Sequence, residues 1–361
     1  ATAHISLYVV NITLRKMMYA GIVWAGAAKM KTLYSSAIGC MAVACVAMTG
    51  TANATDMDYE TAMELAVSGV VESWNGYSIV SGYSPANGNP PNVLSHDSYF
   101  VSGTSGRLSL PLGGHLSIQQ DVDLEITGNA YEDETGNNYI YSYQMGTHAS
   151  FRDPGRGLIG AFGGWGGGTT DGNGGNNENA DSLQYRFVGG EAQAYLEDLT
   201  LYVQAGYLDA ERTNNQNQDD TFRDAVFVRG VARWFMSGTS RLELEFSYAD
   251  GDADTEPDSH TVVEWGVRYD TVLAGLPVIG DTPVFVKYRG ARFENDDAPG
   301  NGGGGGGGEG GFDSEHYLDH TVMVGTSWSF GGDSMKQFDR VGATLNLPNF
   351  GRWVASGENL D

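Results

Sequence analysis

Several stretches of this chain carry charges at a spacing that could do electrostatic work. Arg223, Arg229 and Arg233 recur at even separations within 221–236, and Arg241, Glu243 and Glu245 within 240–249. Even separation puts side chains on one face of a strand. Asp121, Asp123 and Glu125 share this pattern, as do Glu264, Arg268 and Asp270, and Lys287 with Arg289. Walls of opposite charge facing a common aqueous space set up a transverse field that orients polar solutes and selects ions. Paired with one another, the same charges form a salt-bridge ladder that closes the space. Arg229 and Arg233 lie across the turn Ser237-Gly238-Thr239 from Glu243 and Glu245, so pairing is within reach.

Other candidates are weaker. Asp250, Asp252 and Asp254 alternate in an acidic loop, and hard cations take such oxygen sets. Thr261 stands where an EF-hand would place its bidentate glutamate. The expectation is a solvated loop, with a weakly bound Ca²⁺ or Mg²⁺ as the alternative. His316 and His320 flank Asp319, but on a strand they lie about 13 Å apart, too far to share one metal ion. The run Gly302–Gly308 lacks the Lys-Ser/Thr of a phosphate loop. Gly332-Asp333-Ser334-Met335 has the order of an esterase motif, yet only 27 residues follow the serine. No HExxH or G-x-S-x-G is present. No catalytic residues and no cofactor are expected.

Strands must position these groups. In 240–249, Leu242, Leu244, Phe246 and Tyr248 oppose Arg241, Glu243, Glu245 and Ser247; in 221–236, Val226, Val228, Ala232 and Trp234 oppose the arginines. The alternation recurs in 115–127 and 263–270. Period two predicts strands, and twelve are read: 67–80, 98–110, 115–127, 139–151, 157–165, 182–196, 199–208, 221–236, 240–249, 260–272, 283–293 and 316–330. The phase breaks near Gly189-Gly190, where a bulge is expected. The first strand has no clean phase. Links alternate between short turns and long polar loops rich in Gly, Asn and Asp, and all six long ones fall at one end. The link 274–282 is long for the short side. Tyr207, Trp234, Tyr248, Tyr269, Trp328 and Phe330 cluster near strand ends, as interfacial girdles do.

The leader is read apart from the fold. Lys29, Met30 and Lys31 precede an apolar run, 38–48, and Ala52-Asn53-Ala54 supplies a small-x-small site. This is the pattern of a secretory signal peptide cleaved after Ala54, with an over-extended start before Met30. Both cysteines, Cys40 and Cys45, lie in it. Its four basic residues leave 16 basic against 45 acidic residues beyond it, a net charge of −29. Such a surface excludes nucleic acid as a partner. No later segment has the roughly 18 apolar residues of a membrane helix, so a chain that spans a bilayer here must do so as a closed barrel.

The last strand, Val322-Met323-Val324-Gly325-Thr326-Ser327-Trp328-Ser329-Phe330, alternates and closes on an aromatic. It resembles the assembly signal of Gram-negative outer-membrane β-barrels of the porin-like kind. The resemblance implies an all-β transmembrane antiparallel barrel of about twelve strands (ten or fourteen as alternatives), with short periplasmic turns and long outer loops. It implies residence in the cell outer membrane, with the barrel-assembly machinery, outer-membrane lipid and lipopolysaccharide as partners. The domains are then a leader (1–54), a lead-in (55–66), the barrel (67–330) and a tail (331–361) that sits in the periplasm, plugs the lumen or adds a strand pair. The implied function is passive diffusion of small hydrophilic solutes and ions, with cations preferred for the net charge. Arg223, Arg229, Arg233, Arg241, Glu243, Glu245, Glu264, Arg268, Lys287, Arg289, Asp121, Asp123 and Glu125 would line the pore. The alternative is a closed structural or adhesive barrel with acidic surface loops. That assembly signal usually ends the chain, and here 31 residues follow it.

Overall fold

The structure, a computed structural model, describes residues 65–84, 92–93, 97–129, 139–169, 182–212, 222–252, 259–276, 280–296 and 314–356. The leader, Asp254 and most of each long loop lie outside these residues. Twelve long strands are present: β1 (Ser68–Ser84), β3 (Asp97–Gly113), β4 (Leu116–Asn129), β5 (Tyr139–Asp153), β6 (Gly157–Thr169), β7 (Ser182–Leu196), β8 (Leu199–Arg212), β9 (Arg223–Ser237), β10 (Ser240–Asp252), β11 (Ser259–Leu276), β12 (Gly280–Asp296) and β13 (Ser314–Phe330). A two-residue strand, β2 (Asn92–Val93), pairs with the end of β1. Each long strand is antiparallel to its neighbours, and β1 pairs with β13 from Gly69↔Phe330 to Tyr83↔His316. The sheet therefore closes on itself as a twelve-stranded antiparallel barrel with no free edge among its long strands. β1, whose sequence shows no clean phase, is hydrogen-bonded along both sides.

The period-two pattern sorts side chains to the two faces. Val226, Val228, Leu244, Phe246, Val267, Val286, Val322 and Val324 stand outward, each more than 40 % exposed. Arg229, Arg233, Glu243, Glu245, Glu264 and Asp270 stand inward and are buried. An apolar surface this continuous is far larger than a soluble monomer leaves to water, and it belongs against hydrocarbon. Trp165, Trp234, Tyr248, Tyr269 and Trp328 are also on the outside. Among the described residues no helix is long and apolar enough to cross a membrane, and the strands do the crossing instead.

Two expectations are corrected. No bulge exists at Gly189-Gly190: β7 keeps unbroken register with β6 and β8 through both glycines. Leu183, Tyr185, Phe187, Glu191, Gln193 and Tyr195 all face inward. The chemistry of the inner face changes from aromatic to polar at that level while the strand phase does not. Register shifts fall near strand ends instead, at 111–113, 240–241, 250–252 and 273–276. The link 274–282 is also shorter than it reads, because Leu276 still pairs with Gly280.

After Phe330 the chain turns at Gly331, whose φ of 93° a residue with a Cβ rarely adopts; a Cβ there would also stand 2.5 Å from that of Ser68. The tail then runs into the barrel. Ser334 caps a short helix α1 (Met335–Val341) by accepting a hydrogen bond from the Gln337 amide. This is the role of the serine in the esterase-like tetrapeptide. Residues 342–349 form neither helix nor strand, and a second short helix α2 (Phe350–Ser356) follows.

An outward wall set against lipid makes a specific prediction. Leu244→Arg, near the middle of β10, is expected to cost about 2–4 kcal/mol of folding stability in bilayers. Urea unfolding in lipid vesicles measures it; an unchanged midpoint would mean that this face meets water.

Candidate functional site

The lumen gathers most of the charged residues singled out in the sequence. Arg229 and Arg233 project from β9 and each is 1 % exposed. Arg229 Nε donates to Glu245 at 2.6 Å and Arg233 Nε to Glu243 at 2.8 Å, both across the β9–β10 hairpin. Lys287 reaches Glu245 at 3.3 Å, and Arg241 reaches Asp270 at 3.0 Å. The Lys287–Glu245 pair skips one strand, and two pairs reach further: Arg289 of β12 to Glu125 of β4 at 3.0 Å, and Arg268 of β11 to Glu72 of β1 at 2.6 Å. Arg107 also contacts Glu72, at 2.9 Å. The salt-bridge ladder forms both along the wall and across the lumen. Asp121 bonds to Gln119 and His148. Arg223 lies on the inner face near the loop end of β9, and Asp123 lines a cavity beside Glu125.

The second ends of these groups go to the tail. Arg233 donates to Asp339 at 2.9 Å, to the Thr344 carbonyl at 3.1 Å and to the Asn346 side chain at 3.0 Å. Arg229 donates to the Asn346 carbonyl at 2.8 Å. Gln119 donates to the Leu345 carbonyl and accepts from its amide. Gln144 donates to the Pro348 carbonyl at 3.0 Å, and Arg152 to that of Gly342. Residues 342–349 have no strand partner, and apart from the local bonds accepted by Gly342, Pro348 and Asn349 their carbonyls would be unsatisfied in a dry interior. Guanidinium and amide groups of the wall take the place of a neighbouring strand.

Toward the loop end the contacts become apolar. Phe350 stacks on Phe187 and Phe227 at centroid distances of 4.6 and 5.0 Å, with Trp353 5.2 Å from Phe350. Leu345, Phe350, Trp353 and Val354 are at most 1 % exposed. Arg352 pairs with Asp319 and Glu264. At the short-turn end, Lys336 meets Asp198 at 2.7 Å and the Met335 amide donates to the Gly238 carbonyl at 2.9 Å. The plug is anchored at both ends and along its length.

The space left lies on the side of β1, β3, β4 and β10–β13. One cavity of about 100 Å³ lies among Trp74, Asp123, Glu125, Glu264, Lys287 and Asn349. Another of about 240 Å³ opens by Gly238, Pro283, Trp328, Asp333 and Phe338. Glu72 and Arg107 line both.

Inside charged, outside apolar and closed by hydrogen bonds all round, this wall has one environment. The chain is an outer-membrane β-barrel. Its place is the cell outer membrane. No protein-family model and no curated protein matches the sequence. Among solved structures it is similar to an outer-membrane channel from Pseudomonas putida F1 (11 % identity, covering 76 % of this chain and 100 % of that one, TM-score 0.47). It is also similar to the translocator domain of the autotransporter NalP from Neisseria meningitidis (10 %, 83 % and 99 %, 0.39). A third is a Pseudomonas aeruginosa FadL homologue (10 %, 73 % and 90 %, 0.37). At these identities and TM-scores the likenesses carry no argument about activity.

Sequence reasoning missed Glu72, Arg107, His148, Arg152 and Glu191, which share the inner face with the residues it named. His148 is fully buried, with Nδ1 2.9 Å from Glu191 and Nε2 3.1 Å from Asp121. A signal for it existed: Gln144, His148, Ser150 and Arg152 recur at even separations in β5. Of the paired histidines, His320 stacks on Tyr288 with a 2.8 Å hydrogen bond, while the His316 side chain lies outside the described residues. The acidic-loop cation site also lies partly outside them, at Asp254. Among the described residues no three metal-ligating side chains come together.

Arg233 is the group on which wall and plug most depend. Arg233→Ala strands Asp339 as a buried carboxylate without its cation and leaves Glu243 with only the longer Arg241 contact at 3.9 Å, a loss of about 3–5 kcal/mol. The expected result is a barrel whose tail is cut by trypsin at Lys336 or Arg340 while residues 67–330 stay intact. A tail as resistant as in the parent protein would refute this role.

Proposed function

We propose that the protein is an outer-membrane channel for small hydrophilic solutes and ions, held closed in this structure by its own C-terminal segment. The observation that carries this reading is how the lumen is filled. A discrete segment entering through one turn at Gly331 occupies it, rather than bulky side chains of the wall. About twelve strands enclose more space than the eight that side chains alone can fill. With the tail displaced, Arg229, Arg233, Gln119 and Gln144 would face water, together with the carboxylates of β4, β10 and β11. The excess of acidic residues, 45 against 20 basic, favours cations in such a passage. No cofactor is part of this reading, a weakly bound Ca²⁺ or Mg²⁺ at the outer loops aside. Barrel-assembly machinery, outer-membrane lipid and lipopolysaccharide are its expected partners. It is a channel reading and not an enzymatic one: His148 is buried with both ring nitrogens engaged by carboxylates, leaving no face for a substrate.

One observation favours a second reading, a permanently closed structural barrel. The pairs Arg289–Glu125 and Arg268–Glu72 join distant strands through wall residues, and of the two only Glu125 is also bonded by the tail, through Asn349.

Single-channel recording separates the two. The chain from Thr55 onward is expected to be silent or to open only briefly in a planar bilayer. Deletion of 332–361 is expected to give long-lived steps with a cation-selective reversal potential under a salt gradient. If the deleted form is shown to be folded and inserted yet passes no current, the channel reading fails and the closed barrel stands.

A further inference from the structure

The outward wall is not uniform. Over β8–β12 its middle is apolar, with Val203, Val228, Leu244, Phe246, Val267 and Val286 exposed. On β1 and β3, with Thr326 of β13, the same middle zone is polar. Thr326, Ser73 and Thr104 stand side by side in one register row; in the next, Asn75 faces Ser102 on one side and the apolar Val324 on the other. Ser73 and Asn75 are exposed. Apolar residues bracket these rows at both ends: Val71 and Leu108 toward the short turns, Tyr77 and Phe100 toward the loops. The polar rows therefore lie within the apolar band and not at its margin.

Their hydrogen bonds are incomplete. Thr104 donates to the Glu72 carbonyl at 2.9 Å, and Ser102 donates to Asn75 Oδ1 at 3.1 Å. No partner is recorded among the described residues for the Asn75 amide N–H groups or the Ser73 hydroxyl. Acyl chains supply neither donor nor acceptor, and water is absent at that depth. Headgroups lie beyond the bracketing apolar residues. Whatever satisfies these groups must itself be embedded in the membrane.

We infer that the β13–β1–β3 wall is where two copies of this chain meet. The patch is uncharged, so like on like meets no repulsion. Each of its groups both donates and accepts, and an amide offers two donors and one acceptor. A two-fold axis beside Asn75 brings the amide of one copy against the amide and hydroxyls of the other, which is the self-complementarity an isologous contact requires. Ser73, Thr104, Ser102 and Gly106 are small enough for the walls to approach closely, as small polar residues do where transmembrane segments associate. The pairing is independent of whether the lumen conducts.

The test uses the full chain in mild detergent and in lipid nanodiscs. Native mass spectrometry is expected to show a dimer. Asn75→Leu combined with Ser102→Ala is expected to weaken it roughly tenfold or more, the scale of one or two polar contacts between membrane-embedded segments. Val228→Ala on the opposite wall should leave it unchanged, and each variant is first shown by heat-modifiable gel migration to be folded. In a chain with Cys40→Ser and Cys45→Ser, Ser73→Cys is expected to give an oxidation-dependent species of twice the chain mass, and Val203→Cys none. A monomeric parent chain, a dimer unmoved by the β1/β3 substitutions, or a Ser73→Cys disulfide to a different protein would each overturn the inference.

Discussion

The structure depends on one constraint: a guanidinium taken out of water needs a counter-charge and acceptors for its N–H groups. The closed barrel puts Arg229 and Arg233 inside, because the opposite face of β9 must meet lipid. Their Nε groups are matched by Glu245 and Glu243 from the neighbouring strand. Their remaining N–H groups point into the lumen, where an eight-stranded barrel would present more wall and this larger one presents space. The tail meets that demand with Asp339, the Asn346 side chain and the carbonyls of Thr344 and Asn346. The dependence runs both ways. A segment that is neither helix nor strand has carbonyls that no regular ladder satisfies, and the wall's long donors reach them. Neither half could be buried alone without orphaned polar groups.

The inner face changes character along the barrel axis for the same reason. Where the tail is neither helix nor strand, the wall opposite offers Gln119, Gln144, Arg229 and Arg233. Where it becomes the short helix Phe350–Ser356, it makes some backbone bonds of its own and presents Phe350, Trp353 and Val354. The wall there is Phe162, Phe187, Phe227 and Leu208. The lumen lining follows the hydrogen-bonding state of the segment it covers, and each lining residue complements what it touches.

This explains what was legible in the sequence. All twelve long strands were read, most clearly where lipid on one side and charge on the other impose a period of two, as in Leu242–Tyr248 against Arg241–Ser247, and least clearly in β1, which has no clean phase. Charged lumen residues followed from the same phase. The bulge expected at Gly189-Gly190 arose from reading apolar residues as outward. In β7 the rings of Tyr185 and Phe187 face inward because Phe350 and the Gly351 backbone lie against them, and that demand comes from residues more than 150 positions away. His148 and Glu191 were missed because a lone histidine carries no motif; its meaning comes from Asp121 and Glu191 on other strands. The tail's apolar residues, Phe338, Leu345 and Phe350, were visible, but their place was not, since a hydrophobic segment after a closing strand fits a lumen and a periplasmic surface equally well. What fixes it inside is Gly331, whose left-handed backbone turns the chain over the rim at Ser68.

The contacts that close the lumen are also those that suit it to water once vacated. A plug held mainly by apolar packing would leave behind an apolar tube, which repels water and stays closed to ions. Here the irregular part of the tail is held by guanidinium and carboxamide groups, all readily hydrated when their partners leave. The wall pairs Arg229–Glu245 and Arg233–Glu243 need no tail to persist, so the charges would remain neutralised locally while their outer N–H groups turned to solvent. The apolar contacts would be exposed at a loss: those around Phe350 toward the loop end, those of Leu345 with Leu158, Tyr202 and Val231, and those of Phe338 and Ala343 with Val70. Apolar seats thus alternate with the polar contacts along the tail, and the largest lies toward the loop end where the helix Phe350–Ser356 packs.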